Sequence, residues 1–200
     1  PGARPARLME VSHDVPLAGL TTIRVGGPAS RVLTVTTTDE LVDAVREVDD
    51  ADEPLLVVSG GSNLVISDEG FAGTVVRVAT RGIQLDSADR CGGAEVRVAA
   101  GENWDDFVAR SIDEGWAGIE ALSGIPGLVG ATPIQNVGAY GQEVAQTIAR
   151  VRAWDRRDQV VRTFANADCA FTYRHSCFKG TDRYVVLDVA FQLELADLSR

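Results

Sequence analysis

The spacing of hydrophobic positions changes several times along the chain, and each change marks an element. Residues 31–36 alternate apolar and polar, the period of a half-buried strand. Leu41, Val42, Val45 and Val48 then recur at helical spacing behind Thr37, with Glu40 three residues on as the second half of a capping box. After Pro54 the apolar run over 55–58 is continuous, which predicts a buried strand of parallel type. Residues 20–27 read as a strand-like piece ending at a double glycine, and 74–78, 83–86 and 94–99 as short strands punctuated by glycine. A second helix is predicted over 103–114, with Trp104, Phe107, Val108 and Ile112 on its apolar face and Gly115 at its end. Longer alternation over 148–155, 160–164 and 184–195 predicts antiparallel sheet. The pattern divides into an arm over 1–14, a small α/β lobe over 15–79 and a larger α+β lobe over 80–200.

Two stretches follow neither period. Residues 59–64, Ser-Gly-Gly-Ser-Asn-Leu, leave the carboxyl end of a predicted strand, where open α/β sheets receive phosphates. Their spacing is not Gly-x-Gly-x-x-Gly and no periodic helix follows, so an ordinary turn is the competing reading. Residues 123–141 are broken by glycines and prolines, yet Ile125, Leu128, Val129, Ile134 and Val137 are too apolar for an exposed linker. The segment should therefore lie buried. Its glycines let backbone approach a ligand closely, and N–H groups beside Thr132, Gln135 and Asn136 suit a large polar cofactor; a compact loop whose glycines serve only its turns is the alternative.

Composition narrows the classes. Two hundred residues with 45% hydrophobic content are enough for one large domain or two small ones. No apolar run approaches the ~20 residues of a membrane span and residues 1–10 hold no signal-peptide core, so the chain reads as soluble and cytoplasmic, with no membrane partner. A net charge of −10 with scattered arginines disfavours nucleic acid. Three cysteines, Cys91, Cys169 and Cys177, and two histidines, His13 and His175, lack metal-ligand spacing, so no metal is expected, and Cys169 and Cys177 read as small buried side chains. Lys179 is the sole lysine, which excludes a Walker-type loop.

Four motifs occur together and in order: Leu-Thr-Thr-Ile-Arg-Val-Gly-Gly over 20–27, Gly-Gly-Ser-Asn-Leu over 60–64, the central segment 124–141, and Phe-x-Tyr-Arg-x-Ser over 171–176. Over residues 17–195 the sequence closely resembles the UDP-N-acetylenolpyruvoylglucosamine reductase family, flavoproteins also called UDP-N-acetylmuramate dehydrogenases. The resemblance implies an α+β FAD-binding domain of the vanillyl-alcohol-oxidase (PCMH) type. It implies FAD and NADPH as cofactors, UDP-N-acetylglucosamine enolpyruvate as substrate, and a role in peptidoglycan synthesis. By the same resemblance, Ser59, Gly60, Gly61, Ser62, Asn63 and Leu64 hold the FAD pyrophosphate. Ser123, Gly124, Ile125, Pro126, Gly127, Gly130, Ala131 and Thr132, followed by Gln135, Asn136, Gly138, Ala139, Tyr140 and Gly141, line the flavin and its phosphates. With no histidine or cysteine in residues 59–64, FAD is expected to be non-covalent.

Arg174, in the Tyr-Arg-x-Ser match, is the catalytic residue the resemblance implies. A fixed guanidinium there would hold the substrate carboxylate as charge develops on it. Tyr173 and Ser176 are expected to support it. The family's further substrate-binding domain, with a proton-donating serine and an assisting glutamate, has no counterpart here. The chain is accordingly expected to be the flavin-binding portion, catalytically incomplete. Another FAD-dependent oxidase or dehydrogenase of the same fold, or a non-enzymatic flavin-binding module, are the alternatives.

Overall fold

The structure is a computed structural model and describes residues 9–89 and 92–196. Most of the expected arm, together with Cys91, lies outside the described residues. Strands β1 (Glu10–Pro16) and β2 (Pro28–Val35), helix α1 (Thr38–Asp50) and strands β3 (Leu55–Val58) and β4 (Phe71–Val78) come first. Their sheet has the order β1-β2-β4-β3, with β2, β4 and β3 parallel and β1 antiparallel at the edge. The second part holds β5 (Ile83–Asp89), β6 (Gly93–Ala99), α2 (Trp104–Asp113), β7 (Trp116–Ala117), β8 (Gly138–Ala139), β9 (Gln142–Glu143), β10 (Ile148–Asp155), β11 (Val160–Ala165) and β12 (Tyr184–Leu195). The order β11-β10-β12-β6-β5 is antiparallel throughout.

Local chemistry explains the helices. The Thr37 hydroxyl accepts the N–H of Glu40 and the Glu40 carboxylate accepts that of Thr37, which satisfies two donors at the start of α1. Leu41, Ala44, Val45 and Val48 are its buried face. Asn103 caps α2, and Gly115, at φ +71°, follows its C-terminal end.

Three expectations need correction. Residues 10–14 are not arm but strand, paired from Glu10 to Thr34 along β2. Residues 20–27 form no strand, because the Thr21 hydroxyl donates to the Val25 carbonyl (3.0 Å) and Arg24 and Gly26 take positive φ, which closes the segment into turns. Ile112 is half exposed rather than core. Ser111 takes the inward position on α2 by donating its hydroxyl to the carbonyls of Phe107 and Val108.

The two sheets share one core. Leu33, Val35, Leu41 and Val76 from the first part cluster with Val96, Phe107, Leu187 and Phe191 from the second. Polar links reinforce this packing: Arg156 grips Asp49 of α1 through Nε and Nη2 (3.1 and 2.6 Å to Oδ1), and Arg46 lies 4.9 Å above the Trp154 ring. Among the described residues, no helix is long and apolar enough to cross a membrane.

Asp155, fully buried at the end of β10, accepts from Nε of Arg183 (2.9 Å) and of Arg162 (2.7 Å), and from the N–H groups of Arg157 and Asp158. The Arg183 hydrogen bonds above all hold its carboxyl well below the usual carboxylate range. Its contribution is complete above the unfolded carboxylate value near pH ~4 and is lost as pH falls toward the depressed folded value. Asp155→Asn should cost on the order of 2 kcal/mol at neutral pH, the scale for a buried, charge-assisted network. In urea unfolding, the gap to wild type should narrow below pH ~4.

Candidate functional site

The parallel strand β3 delivers residues 59–64 to the junction of the two sheets. Gly61 sits at φ +61°, and a Cβ there would lie 1.9 Å from the Leu20 carbonyl oxygen, so only glycine fits. A Cβ on Gly60 would lie 2.9 Å from Cα of Gly127. The two loops therefore meet backbone against backbone, with Ser62 Oγ donating to the Pro126 carbonyl (3.5 Å). Among the described residues, none of the N–H groups of residues 60–64 donates to a backbone carbonyl. They are available to an anionic ligand, and the cradle fits a dinucleotide phosphate.

The central loop is anchored differently. Asp105 in the first turn of α2 accepts the Ser123 hydroxyl (3.2 Å) and the Gly124 N–H (2.6 Å). The N–H groups of Trp104, Val129 and Gly130 donate to Gly127, Glu102 and Ala100, at 2.9–3.1 Å. Gly130 approaches so closely that a Cβ would come within 2.6 Å of the Ala100 Cβ. Thr132 is buried, with its hydroxyl on the Val129 carbonyl. Asn136 spends its whole amide on protein: Nδ2 donates to Glu143 (2.8 Å) and to the Thr172 carbonyl (3.0 Å), and Oδ1 accepts the Ala145 N–H (3.1 Å).

Cavities of about 350, 270 and 250 Å³ open around this contact, and Ser59 lines all three. The 270 Å³ cavity gathers Ser59, Gly61, Ser62, Asn63 and Leu64 with Ile125, Pro126, Gly127, Ala131, Thr132 and Gln135. Gly60 lines the 250 Å³ cavity beside Arg77 and Arg81, and Gly130 lines the 350 Å³ cavity. Ser123, Gly124, Asn136, Gly138, Ala139, Tyr140 and Gly141 line none of these three; Gly138 and Ala139 form β8, and Tyr140 stands 94% exposed at the hairpin tip.

Arg174 is carried on a loop strapped to the central segment. A bridge between Thr172 and His175 shapes its tip, and the buried Ser176 donates its hydroxyl to the Ile134 carbonyl (2.7 Å). Arg174, at φ +54°, donates from Nη2 to Gly138 O (2.5 Å) and from Nη1 to Asn136 O (3.5 Å), and packs 5.5 Å from the Tyr173 ring. Its guanidinium thus rests on β8, outside the lining of the three cavities. At the base of this loop Cys169 is buried and Cys177 half-buried. Burial pushes the Cys169 thiol up to about 12 and raises Cys177 as well, so both behave as inert side chains. Sequence reasoning assigned Lys179 no role, yet it lines the 270 Å³ cavity. Its signal was its being the one lysine of the chain.

The FAD binding domain family model matches residues 29–163. The chain belongs to this family. Among similar proteins, the UDP-N-acetylenolpyruvoylglucosamine reductase of Streptomyces avermitilis is 60% identical over 92% of this chain and 50% of its own length. That of Cutibacterium acnes is 59% identical over 94% of this chain and 50% of its own length. The chain therefore spans about half the length of these relatives. The crystal structure of the Thermus caldophilus reductase aligns with 94% of this chain and 64% of its own, at 30% identity and a TM-score of 0.75. 6-Hydroxy-D-nicotine oxidase from Arthrobacter nicotinovorans aligns at 19% identity and a TM-score of 0.70, over 96% of this chain and 44% of its own, a likeness of fold alone. The fold is accordingly an FAD-binding domain of the type this reductase and oxidase share.

Gly60→Ala forces apart two backbones that have no side chain to yield, at the cost of overpacking, about 1–3 kcal/mol. In a titration followed by flavin fluorescence, FAD affinity should fall about tenfold or more. Unchanged affinity would remove this contact from the cofactor site.

Proposed function

We propose that this chain is the FAD-binding half of a UDP-N-acetylenolpyruvoylglucosamine reductase. The reading is of a cytoplasmic enzyme that uses NADPH to reduce UDP-N-acetylglucosamine enolpyruvate to UDP-N-acetylmuramate for peptidoglycan synthesis. The observation that supports it most is the Arg174 loop docked on the central segment, in a chain 60% identical to such a reductase over 92% of its length.

Bound FAD would supply a two-electron carrier between NADPH and the enolpyruvyl group. The N–H groups of residues 60–64 would take its pyrophosphate. Residues 125–127, 131, 132 and 135 would wall the same cavity and exclude water from it. No histidine or cysteine lies in residues 59–64, so the cofactor is held without a covalent bond. Arg174 has five N–H donors and spends only two on Gly138 and Asn136, which leaves donors for the substrate carboxylate. Negative charge grows on that carboxylate as hydride adds to the terminal alkene carbon, one removed from it, and a preset guanidinium stabilises it without reorganising. Delivery of the proton to the adjoining carbon falls to parts of the enzyme beyond this chain. The isolated chain binds FAD and turns over little or no substrate.

In the complete enzyme, Arg174→Ala should lower turnover on the order of 10²-fold or more with FAD still bound, as for loss of an oxyanion donor. Arg174→Lys should not restore it, because an ammonium cannot match both carboxylate oxygens. Wild-type turnover in Arg174→Ala would overturn the assignment, and intersecting rather than parallel double-reciprocal lines would exclude two successive hydride transfers through one flavin.

A further inference from the structure

Lys179 is the only ionisable residue among those lining the 270 Å³ cavity. It is a solvent-exposed cation that also lines the cavity, in a chain with 29 acidic and 19 basic side chains. Elsewhere the acids find their arginines: Asp155 holds Arg162 and Arg183, Asp49 holds Arg156, and Asp86 and Glu95 hold Arg150. Among the described residues, Lys179 has no carboxylate within ion-pair distance. Its Nζ donates once, to the Arg174 carbonyl (2.8 Å), which aims the ammonium and leaves two N–H donors. The opposite lining is the glycine loop, whose backbone N–H groups are also without carbonyl partners. A cavity whose described lining has one cation, unspent N–H donors and no acid suits an anion.

We infer that Lys179 is an anion-binding residue of the cofactor cavity, its ammonium neutralising a phosphate oxygen of the bound dinucleotide opposite the residue 60–64 loop. The inference rests on membership of the FAD binding domain family and, for NADPH, on the proposed reductase reaction. A strut role through the Arg174 carbonyl is the competing account, and it makes different predictions. A charge on phosphate acts on FAD and not on riboflavin, which has the same ring and no phosphate. It also makes affinity fall with salt. A strut acts on both ligands alike and is indifferent to salt.

The experiment titrates the purified apoprotein, in the longest form of the chain available, with FAD and with riboflavin at low and high salt. Wild type, Lys179→Met and Lys179→Arg are compared, with thermal melting of each apoprotein alongside. Lys179→Met should weaken FAD about tenfold or more at low salt, as expected for a lost charge-assisted hydrogen bond, with a flatter salt dependence and unchanged riboflavin affinity. Lys179→Arg should retain most of the FAD affinity. If phosphate of NADPH rather than of FAD is the anion, FAD affinity stays at the wild-type value. The rate of flavin reduction at low NADPH then falls in Lys179→Met and is rescued in Lys179→Arg, while the rate with a phosphate-free nicotinamide donor is unchanged. Equal losses for FAD and riboflavin, or no loss for any phosphate-bearing ligand, would overturn the inference. Should Lys179→Met fail to fold, the same decision comes from wild type and Lys179→Arg: FAD affinity that ignores salt overturns it. A wild-type protein that binds no FAD would overturn the family reading itself, a result distinct from a wild type that binds FAD without using Lys179.

Discussion

The approach of the Gly60 backbone to that of Gly127 is the constraint on which the site depends. The backbones come this close only because Gly60 has no Cβ to interpose, while Gly127 is required by its φ of +129°. Each loop is fixed independently by the sheet it leaves. The first emerges from β3, held in register beside β4; the second is stitched to the end of β6 and to the start of α2 by the N–H groups of Gly130, Val129 and Trp104. The shared core of the two sheets then sets the distance between the loops. A small change in how the sheets pack would appear first at this contact.

The loops do opposite things with their polar groups. Much of the central loop is satisfied internally, by short turns, by Ala100 and Glu102, and by the Asn136 amide that ties it to the β9 region and the Arg174 loop. It behaves as a rigid wall. The residue 60–64 loop is held by few contacts and keeps its N–H groups for a ligand. A ligand-binding edge set against a largely satisfied wall gives a bound group a preferred side for its hydrogen bonds.

Charge follows the same division. The chain is strongly acidic, yet many of its carboxylates are paired with arginines in networks on the second sheet, around Asp155 and around Asp86, Glu95 and Arg150. With the acids engaged there, the ionisable lining of the 270 Å³ cavity is Lys179 and that of the 250 Å³ cavity is Arg77 and Arg81. Net charge describes the solubility of the molecule and says little about the field inside its cleft.

Periodicity made most of the fold legible. The helices at Thr37 and Asn103 carry their caps in the sequence, and the continuous run of β3 marks a parallel strand. Strand β12, read as alternating, is antiparallel yet buried from Val185 to Phe191, because both its faces are covered. The errors fell where side chains compete with periodicity. Ser111 could enter the core because its hydroxyl reached the helix carbonyls, and the Thr21 hydroxyl bent a strand-like pattern into a turn. The composition of both glycine loops was likewise visible. Which of their residues face a cavity was not. Asn136 looked like a ligand donor and is spent on Thr172 and Glu143, while Lys179, read only as excluding a Walker-type loop, lines the cleft. Local sequence decides backbone conformation because caps, turns and alternation act over a few residues. The partner of a polar side chain lies 36 positions away for Asn136 and 107 for Arg156, and only the tertiary structure brings such pairs together.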